Sequence, residues 1–517
     1  MSWRDEVDEL ERRRRRAQQG GGAEATRRQH ARGRLGVRER IEALADPGSF
    51  REHGGAAGSS ERDADGRVEW TPASVVVGVA RLAGRPAVIG ADDFTIRGAA
   101  YSPAALRKGL YADELALGRR IPLVRLLEGG GASVAGASGV RGRSGYDFTS
   151  SSPLNQLSMQ ALSQVPVVCA ALGAVAGFPA ARLVASHLSI MTRRGAQVLT
   201  GGPALVERAT GERLTKEELG GAGVHSRSGV VDNVTEDEPQ AFEQIRRFLS
   251  YLPPNVWEAA PVEACGDPPE RRDEELLSLV PRERRRAFKM RRAIAHVIDR
   301  DSFFEMGAGF GRSQITGLGR LAGRPLGILG NDCHHQGGCM TADGARKIRR
   351  FVETCDAFSL PILSFVDEPG FWIGAEAERQ ATIRHGMEAM FAVQQTRVPW
   401  AAVLVRRAFG VACGIHLGPG ATVLAWPSAE VGALPVESGV ALAFRREIES
   451  AADPEARRRE LEQEMAAAQA ILPRAEDFGV HDLIDPRETR KHLCRWLEEV
   501  EPSLATLRGP RRYGMRP

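Results

Sequence analysis

Aromatic residues make up only 6% of this 517-residue chain, and 70 Lys and Arg against 66 Asp and Glu leave a formal net charge of just +4. Nucleic-acid binding calls for a strongly basic face with aromatics on which bases can stack. The two basic runs, Arg12–Arg16 and Arg284–Arg286, lie in charge-mixed helical stretches and read as solvated helix faces. A disulfide framework is excluded as well, because the seven scattered cysteines are odd in number and include no Cys-x-x-Cys pair. The opening Met1-Ser2-Trp3-Arg4-Asp5-Glu6 has none of the apolar character of a signal peptide. The uncharged run from Val165 to Ala181 is short for a membrane span and is broken by Pro166, Pro179, Gly173 and Gly177. It is expected to form a buried strand turning through glycines into a helix, in a soluble, cytoplasmic protein.

Familiar catalytic landmarks are missing too. The chain has no Gly-x-Ser-x-Gly elbow, no P-loop and no acidic metal motif, and Gly307-x-Gly309-x-Gly311 does not fit the dinucleotide fingerprint. Cys333-His334-His335 with Cys339 resembles a metal cluster. The corresponding places in the first half hold Phe94-Thr95-Ile96 and Ala100, so packing is the reading and no metal is expected. His225 sits in a Gly-rich polar loop and is open to either a loop-ordering or a catalytic role.

What the chain does have is a duplication. Arg-Leu-Ala-Gly-Arg-Pro occurs at Arg81–Pro86 and again at Arg320–Pro325, and at that 239-residue offset the surroundings stay in register. Gly78 falls on Gly317, Asp93 on Asp332, Lys108 on Lys347, and Glu128-Gly129-Gly130-Gly131 on Asp367-Glu368-Pro369-Gly370. Ser49-Phe50 pairs with Ser302-Phe303, and Pro166…Gly177 with Pro399…Gly410, at slightly different offsets. A repeat this long means a duplicated domain, since solenoid units are far shorter. Each copy alternates strands with helices, such as Ser102–Arg119 and Asp343–Phe358, which argues for parallel α/β units with crossover helices. The expected organisation is a helical extension over 1–46, a first domain over 47–255, a Pro- and acid-rich linker over 256–281, and a second domain over 282–517 ending in helices.

Two small-residue turns after buried strands recur in both copies. They are Gly129-Gly130-Gly131-Ala132 and Gly173-Ala174-Val175-Ala176-Gly177-Phe178 in the first, and Pro369-Gly370-Phe371 and Phe409-Gly410-Val411-Ala412 in the second. Glycine lets backbone N–H groups approach a ligand oxygen, and two such groups from separate loops make an oxyanion hole. The catalytic candidates are therefore Gly130, Gly131, Gly177, Phe178, Gly370, Phe371, Gly410 and Val411. Chemistry that depends on backbone dipoles fits a chain without a catalytic side-chain motif.

Longer motifs carry a resemblance. His30-Ala31-Arg32-Gly33-Arg34-Leu35, Asp46-Pro47-Gly48-Ser49-Phe50 and Gly220-Gly221-Ala222-x-Val224-His225-Ser226 are followed by Ser250-Tyr251-Leu252-Pro253-x-Asn255 and Phe365-Val366-Asp367-x-Pro369-Gly370-Phe371. Ile383-Arg384-His385-Gly386, Ala425-Trp426-Pro427 and Pro486-Arg487-Glu488-Thr489-Arg490 complete the series. Together they resemble the β (carboxyltransferase) subunit of biotin-dependent acyl-CoA carboxylases, the propionyl-CoA carboxylase group. The resemblance implies two tandem crotonase-like domains, the first binding acyl-CoA and the second carboxybiotin. It also implies a homo-oligomer, a hexamer, with the site shared between subunits, and a biotin carboxylase and a biotin carboxyl carrier as partners. An enolate would be held near Gly130, Gly131 and Phe178, and the biotin oxyanion at Gly370-Phe371 and Gly410-Val411. Ala132, Gly173, Ala176, Cys413 and Gly414 would line the substrate, with the small Cys413 and Gly414 leaving volume for a larger acyl group. Departures from the family pattern fall at Ser133, Phe178, Pro179, Val411 and Gly414. The alternatives are a biotin-independent decarboxylase or another enolate-forming CoA enzyme, and a catalytically inactive assembly paralogue.

Overall fold

The structure is a computed structural model describing residues 2–62, 65–66, 68–131, 153–511 and 514–517. It divides into two compact units, Met1–Glu258 with Pro510–Pro517, and Ala259–Gly509. Residues 259–281 are built into the second unit: Glu263 N–H donates to Gly323 O (3.0 Å), and Arg271 Nη2 donates to the carbonyls of His296 and Ile298 (2.8 and 2.9 Å).

Each unit is built on one eight-stranded sheet, and the two sheets have the same strand order. The first runs Arg51–His53, Val75–Leu82, Arg85–Asp92, Leu123–Gly129, Val167–Ala176, Leu188–Thr192, Asn233–Thr235, with Gln197–Leu199 alongside Val167–Ala176. The second runs Phe304–Glu305, Gln314–Leu321, Arg324–Asn331, Ile362–Glu368, Trp400–Phe409, Thr422–Ala425, Asp482–Leu483, with Glu430–Gly432 alongside Trp400–Phe409. The sequence offset survives in the pairing: Gly78 faces Ile89 as Gly317 faces Ile328. The helices Pro103–Arg119 and Ala342–Ala357 cross over from the third strand to the fourth, each capped by a hydroxyl, Ser102 Oγ from Ala105 N–H (3.2 Å) and Thr341 Oγ1 from Gly344 N–H (2.9 Å). Leu123–Gly129 and Ile362–Glu368 are buried along their whole length, as parallel strands covered on both faces are.

The repeated Arg-Leu-Ala-Gly-Arg-Pro is a hairpin. Its two central residues have φ of 48° and 78° at Ala83 and Gly84, and 50° and 79° at Ala322 and Gly323. Two positive φ angles match the twist of a two-residue hairpin, but alanine adopts one only under strain. A carboxylate holds each turn in place. Asp46 accepts from Ala83 and Gly84 N–H (2.9 and 2.7 Å), and Asp299 from Ala322 and Gly323 N–H (2.9 and 2.7 Å). Asp299 is also bound by Arg490 Nη2 (2.8 Å). Burial works to raise its pKa, but the Gly323 N–H and Arg490 outweigh it and hold the carboxyl below its ordinary value. Asp299→Ala is expected to destabilise the second unit by about 1–3 kcal/mol at neutral pH. With a folded pKa depressed below an unfolded value of about 3.9, this contribution is complete above that value and is lost as pH falls through the folded one. Urea unfolding of both proteins should therefore show a gap at pH 7 that closes in acid.

Two features extend the sequence expectation. The fifth strands run to Ala176 and Phe409, so that Gly173-Ala174-Val175-Ala176, expected as part of a turn, lies in the sheet, because these strand ends pair with short distant strands: Ala174 with Gln197, and Arg407 with Glu430. The ribbon Gly58–Arg62 with Val68–Pro72 is half-exposed and polar, and gave no strand signal.

Candidate active site

In the first unit the strand Leu123–Gly129 shifts register against its neighbour between Leu127 and Gly129, and such a bulge bends the chain. The turn that follows has φ of 129° at Gly129 and 72° at Gly131. Space also demands glycine, since a Cβ on Gly131 would stand 2.7 Å from Pro179 Cδ. The second turn pivots on Gly177, φ 63°, whose Cβ position lies 3.4 Å from Gly130 O. Gly130, Gly131, Gly177, Phe178 and Pro179 are thus brought together from two loops.

The donors sort themselves by what is already engaged. Gly177 N–H donates to Leu199 O (3.3 Å) and is spent. The N–H groups of Gly130, Gly131 and Phe178 have no acceptor among the described residues. Pro179 is the second residue of the helix Phe178–Val184, where the first-turn N–H groups have no helical acceptor, so its missing donor leaves the helix intact. Beneath the turn lies Asp92, whose Oδ2 accepts from Glu128 N–H (3.2 Å) and whose Oδ1 accepts from Tyr101 OH (3.1 Å). Burial pushes the Asp92 carboxyl up to about 7. Arg182 lies 5.7 Å from the Phe178 ring centroid and donates to Asp113 Oδ2 (2.5 Å).

The second unit repeats the pattern with different side chains. Gly370 and Gly410 have φ of 123° and 65°. Gly410 N–H donates to Gly432 O (3.1 Å), as Gly177 does to Leu199, and Gly370 N–H donates to Glu368 Oε1 (3.0 Å). The next residues, Phe371 and Val411, carry N–H groups without an acceptor among the described residues. One helix, Thr382–Gln394, supports both turns. A Cβ on Gly386 would overlap the Phe371 ring, and one on Gly414 would stand 2.7 Å from Met390 Cε. Gly386 and Met390 are four residues apart, hence on one helix face.

Several sequence candidates land elsewhere. Gly173 is buried within its strand, and its Cβ direction is filled by the Glu128 carboxyl at 2.5 Å, so it makes room for that side chain. Cys413 is buried among Val366, Leu404 and Ala425, its thiol pushed up to about 12 by burial and then by Glu368. The volume expected over Gly414 is taken by the Met390 methyl. Ala176 ends its strand opposite Leu199, and Ala132 lies outside the described residues. His225 orders its loop, with Nε2 on Val198 O (2.7 Å) and Nδ1 on Ser228 Oγ (3.1 Å). Cys333 Sγ bonds Phe288 N and O (3.3 and 3.2 Å), while His334 Nδ1 contacts Asp332 Oδ1 (3.0 Å).

Sequence reasoning missed the polar groups beneath the second turn: Glu368, His416, Asn331, Gln314 and Ser364, all fully buried. Their one legible signal was a glutamate and an asparagine ending otherwise apolar strand runs.

Duplicated sheets of this kind are a pair of crotonase-like domains, each with backbone donors at two strand-end turns. The solved structure of transcarboxylase 12S, a hexamer with methylmalonyl-coenzyme A and methylmalonic acid bound, superimposes with a TM-score of 0.88 at 30% identity, covering 100% of this chain and 98% of that one. The chain belongs to the carboxyl transferase domain family, whose model matches residues 28–505. Among curated relatives, the propionyl-CoA carboxylase carboxyltransferase subunit of Haloferax mediterranei is 33% identical over 508 residues, spanning 95% of each chain. The mitochondrial propionyl-CoA carboxylase beta chain of Homo sapiens is 33% identical over 482 residues, 90% of this chain and 85% of that one. The protein is a carboxyltransferase. Among the described residues no helix is long and apolar enough to cross a membrane.

Proposed function

We propose that this chain is the carboxyltransferase subunit of a biotin-dependent acyl-CoA carboxylase, moving a carboxyl group from carboxybiotin on a separate carrier protein to the α-carbon of an acyl-CoA. One observation carries the reading: each unit presents, from its strand-end turns, N–H groups with no acceptor among the described residues, Gly130, Gly131 and Phe178 in the first, Phe371 and Val411 in the second. Two oxygens gain charge in such a transfer, that of the thioester as its enolate forms and that of the biotin urea. One half-site suits each. The first unit holds the thioester oxygen, and the turns at Gly370-Phe371 and Gly410-Val411 hold the urea oxygen. Donors fixed by bulges and positive-φ glycines need no reorganisation as the charge develops, and losing one such donor costs about 10²–10³-fold in rate. Bound carboxybiotin supplies the CO2 and the base, so no side-chain base is required of this chain.

A propionyl-class thioester, which most of these relatives are named for, is the expected substrate, and acetyl-CoA is expected to be poorer. An added methylene is worth about 0.8 kcal/mol, hence several-fold in kcat/KM. Biotin carboxylase and a biotin carrier are the partners, and a homohexamer is the assembly, since two half-sites in one chain are completed by closed symmetry. The test is bicarbonate fixation by the full chain with those partners on acetyl-, propionyl- and medium-chain acyl-CoA. Propionyl-CoA should exceed acetyl-CoA. No malonyl-type product from any thioester would contradict the function.

A further inference from the structure

Beneath the first turn of each unit lies a buried carboxyl that forms no ion pair with an arginine among the described residues: Asp92 in one, Glu368 in the other. They do not occupy the same position. At the 239-residue offset Asp92 corresponds to Asn331, and Glu368 to Gly129. The acid has moved to the neighbouring parallel strand, and an amide or nothing stands where it stood. Glycine turns alone would not require a carboxyl beneath them, yet both units have one.

In the second unit this acid is held through both of its oxygens. Glu368 Oε1 accepts from Met340 and Gly370 N–H (3.2 and 3.0 Å). Oε2 accepts from Asn331 Nδ2 (3.0 Å) and, at 3.5 Å, Gln314 Nε2, and it meets His416 Nε2 at 3.3 Å. His416 Nδ1 meets Ser364 Oγ (3.0 Å), and Asn331 Oδ1 accepts from Asp367 N–H (2.9 Å). Burying a carboxylate costs several kcal/mol unless such bonds satisfy it. His416 ends the 3₁₀ segment Val411–His416 that begins at the second turn. One carboxylate therefore grips the Gly370 backbone with one oxygen and, through His416, the segment carrying Val411 with the other. Its neighbour Asp367 is taken by Arg406 and Arg407 and plays no part.

We propose that Glu368, braced by His416, is a positioning residue of the second turn. It draws the Gly370 N–H inward so that the Phe371 and Val411 N–H groups remain as the pair facing the oxyanion. This rests on the proposed function, with the urea oxygen of biotin held in the second unit.

The test exploits the swap between the units. In Glu368→Gln one oxygen can still serve Met340 and Gly370, but the new amide confronts the Asn331 and His416 donors. Adding Asn331→Asp moves the carboxylate across the pair, as in the first unit, and gives the new amide and His416 an acceptor, while Gly338 O, which loses the Asn331 amide (3.1 Å), keeps Gln314 Nε2 as its donor (3.2 Å). The full chain is assayed with methylmalonyl-CoA and free biotin, where the carboxyl leaves the α-carbon for biotin N1 and the proton of N1 goes to the α-carbon. Glu368→Gln should lower kcat/KM for biotin about 10- to 100-fold, the scale of a small misplacement. KM for methylmalonyl-CoA should stay within about twofold, because that thioester binds in the other unit. The double variant Asn331→Asp/Glu368→Gln should recover most of the loss. An unchanged biotin response in Glu368→Gln overturns the proposal. So does equal loss toward both substrates, or a fall that the double variant does not repair, since those are the marks of a merely structural role. If the unaltered protein shows no biotin-dependent turnover, the function falls and the proposal with it, an outcome distinct from active protein with an indifferent Glu368.

Discussion

Gly131→Val should lose about 10²–10³-fold in kcat on the acyl-CoA while remaining folded, the loss expected for removing an oxyanion donor. Three features of the turn converge on this position. Its φ of 72° is one a β-branched residue adopts only at a cost of about 1–3 kcal/mol. Its Cβ would stand 2.7 Å from Pro179 Cδ, and proline has no flexible end to yield. Its carbonyl accepts from Tyr101 N–H (2.6 Å), so the turn cannot rotate away without breaking that bond. The displaced backbone would turn the Gly130 and Gly131 N–H groups off the thioester oxygen. Steady-state kinetics beside a thermal melt would separate this from unfolding. A variant within about twofold of the parent would remove the first turn from the chemistry.

Asp113→Ala should be the most destabilising single change in the first unit, by about 3–5 kcal/mol. Asp113 is fully buried on the helix Pro103–Arg119, where it pairs with Arg125 and with Arg182 (2.5 Å to Nη2) and accepts from Ser158 Oγ (3.2 Å). Arg125 is as deeply buried. Burial works to lower its pKa, and Asp113 with Cys169 more than offsets that. Deleting the carboxylate leaves two buried guanidinium groups sharing no counter-charge. Arg182 also stacks near Phe178, so the second turn should loosen and activity should fall along with stability. The measurement is the urea midpoint, with Asp113→Asn expected between parent and alanine. A loss below about 1 kcal/mol would mean the arginines find water or other partners.

The duplication was legible because residues that fix backbone geometry cannot drift. Ala83-Gly84 and Ala322-Gly323 must reach positive φ, and Gly131 and Gly370 must bend a strand end. Gly410 was legible for the same reason, as was the alternation of strand and crossover helix. What stayed hidden depends on partners distant in sequence. The strand extensions to Ala176 and Phe409 exist because Gln197–Leu199 and Glu430–Gly432 return to pair with them. Gly173 was read as a loop residue because nothing local reveals that Glu128 lies across it. Gly414 suggested free volume because Met390 reaches it from another helix. The Glu368–His416–Asn331 cluster is assembled from three separate segments, and no spacing in the chain announces it.

The central claim is carboxyl transfer between a thioester and biotin on backbone donors, and following the carboxyl itself tests it most directly. Methylmalonyl-CoA labelled in its free carboxyl is mixed with the full chain and free biotin. Label is expected on biotin in step with the propionyl-CoA formed, and Gly131→Val should lose both together. Release of label as CO2 at the same rate with and without biotin, or no loss of label from the thioester at all, would contradict it.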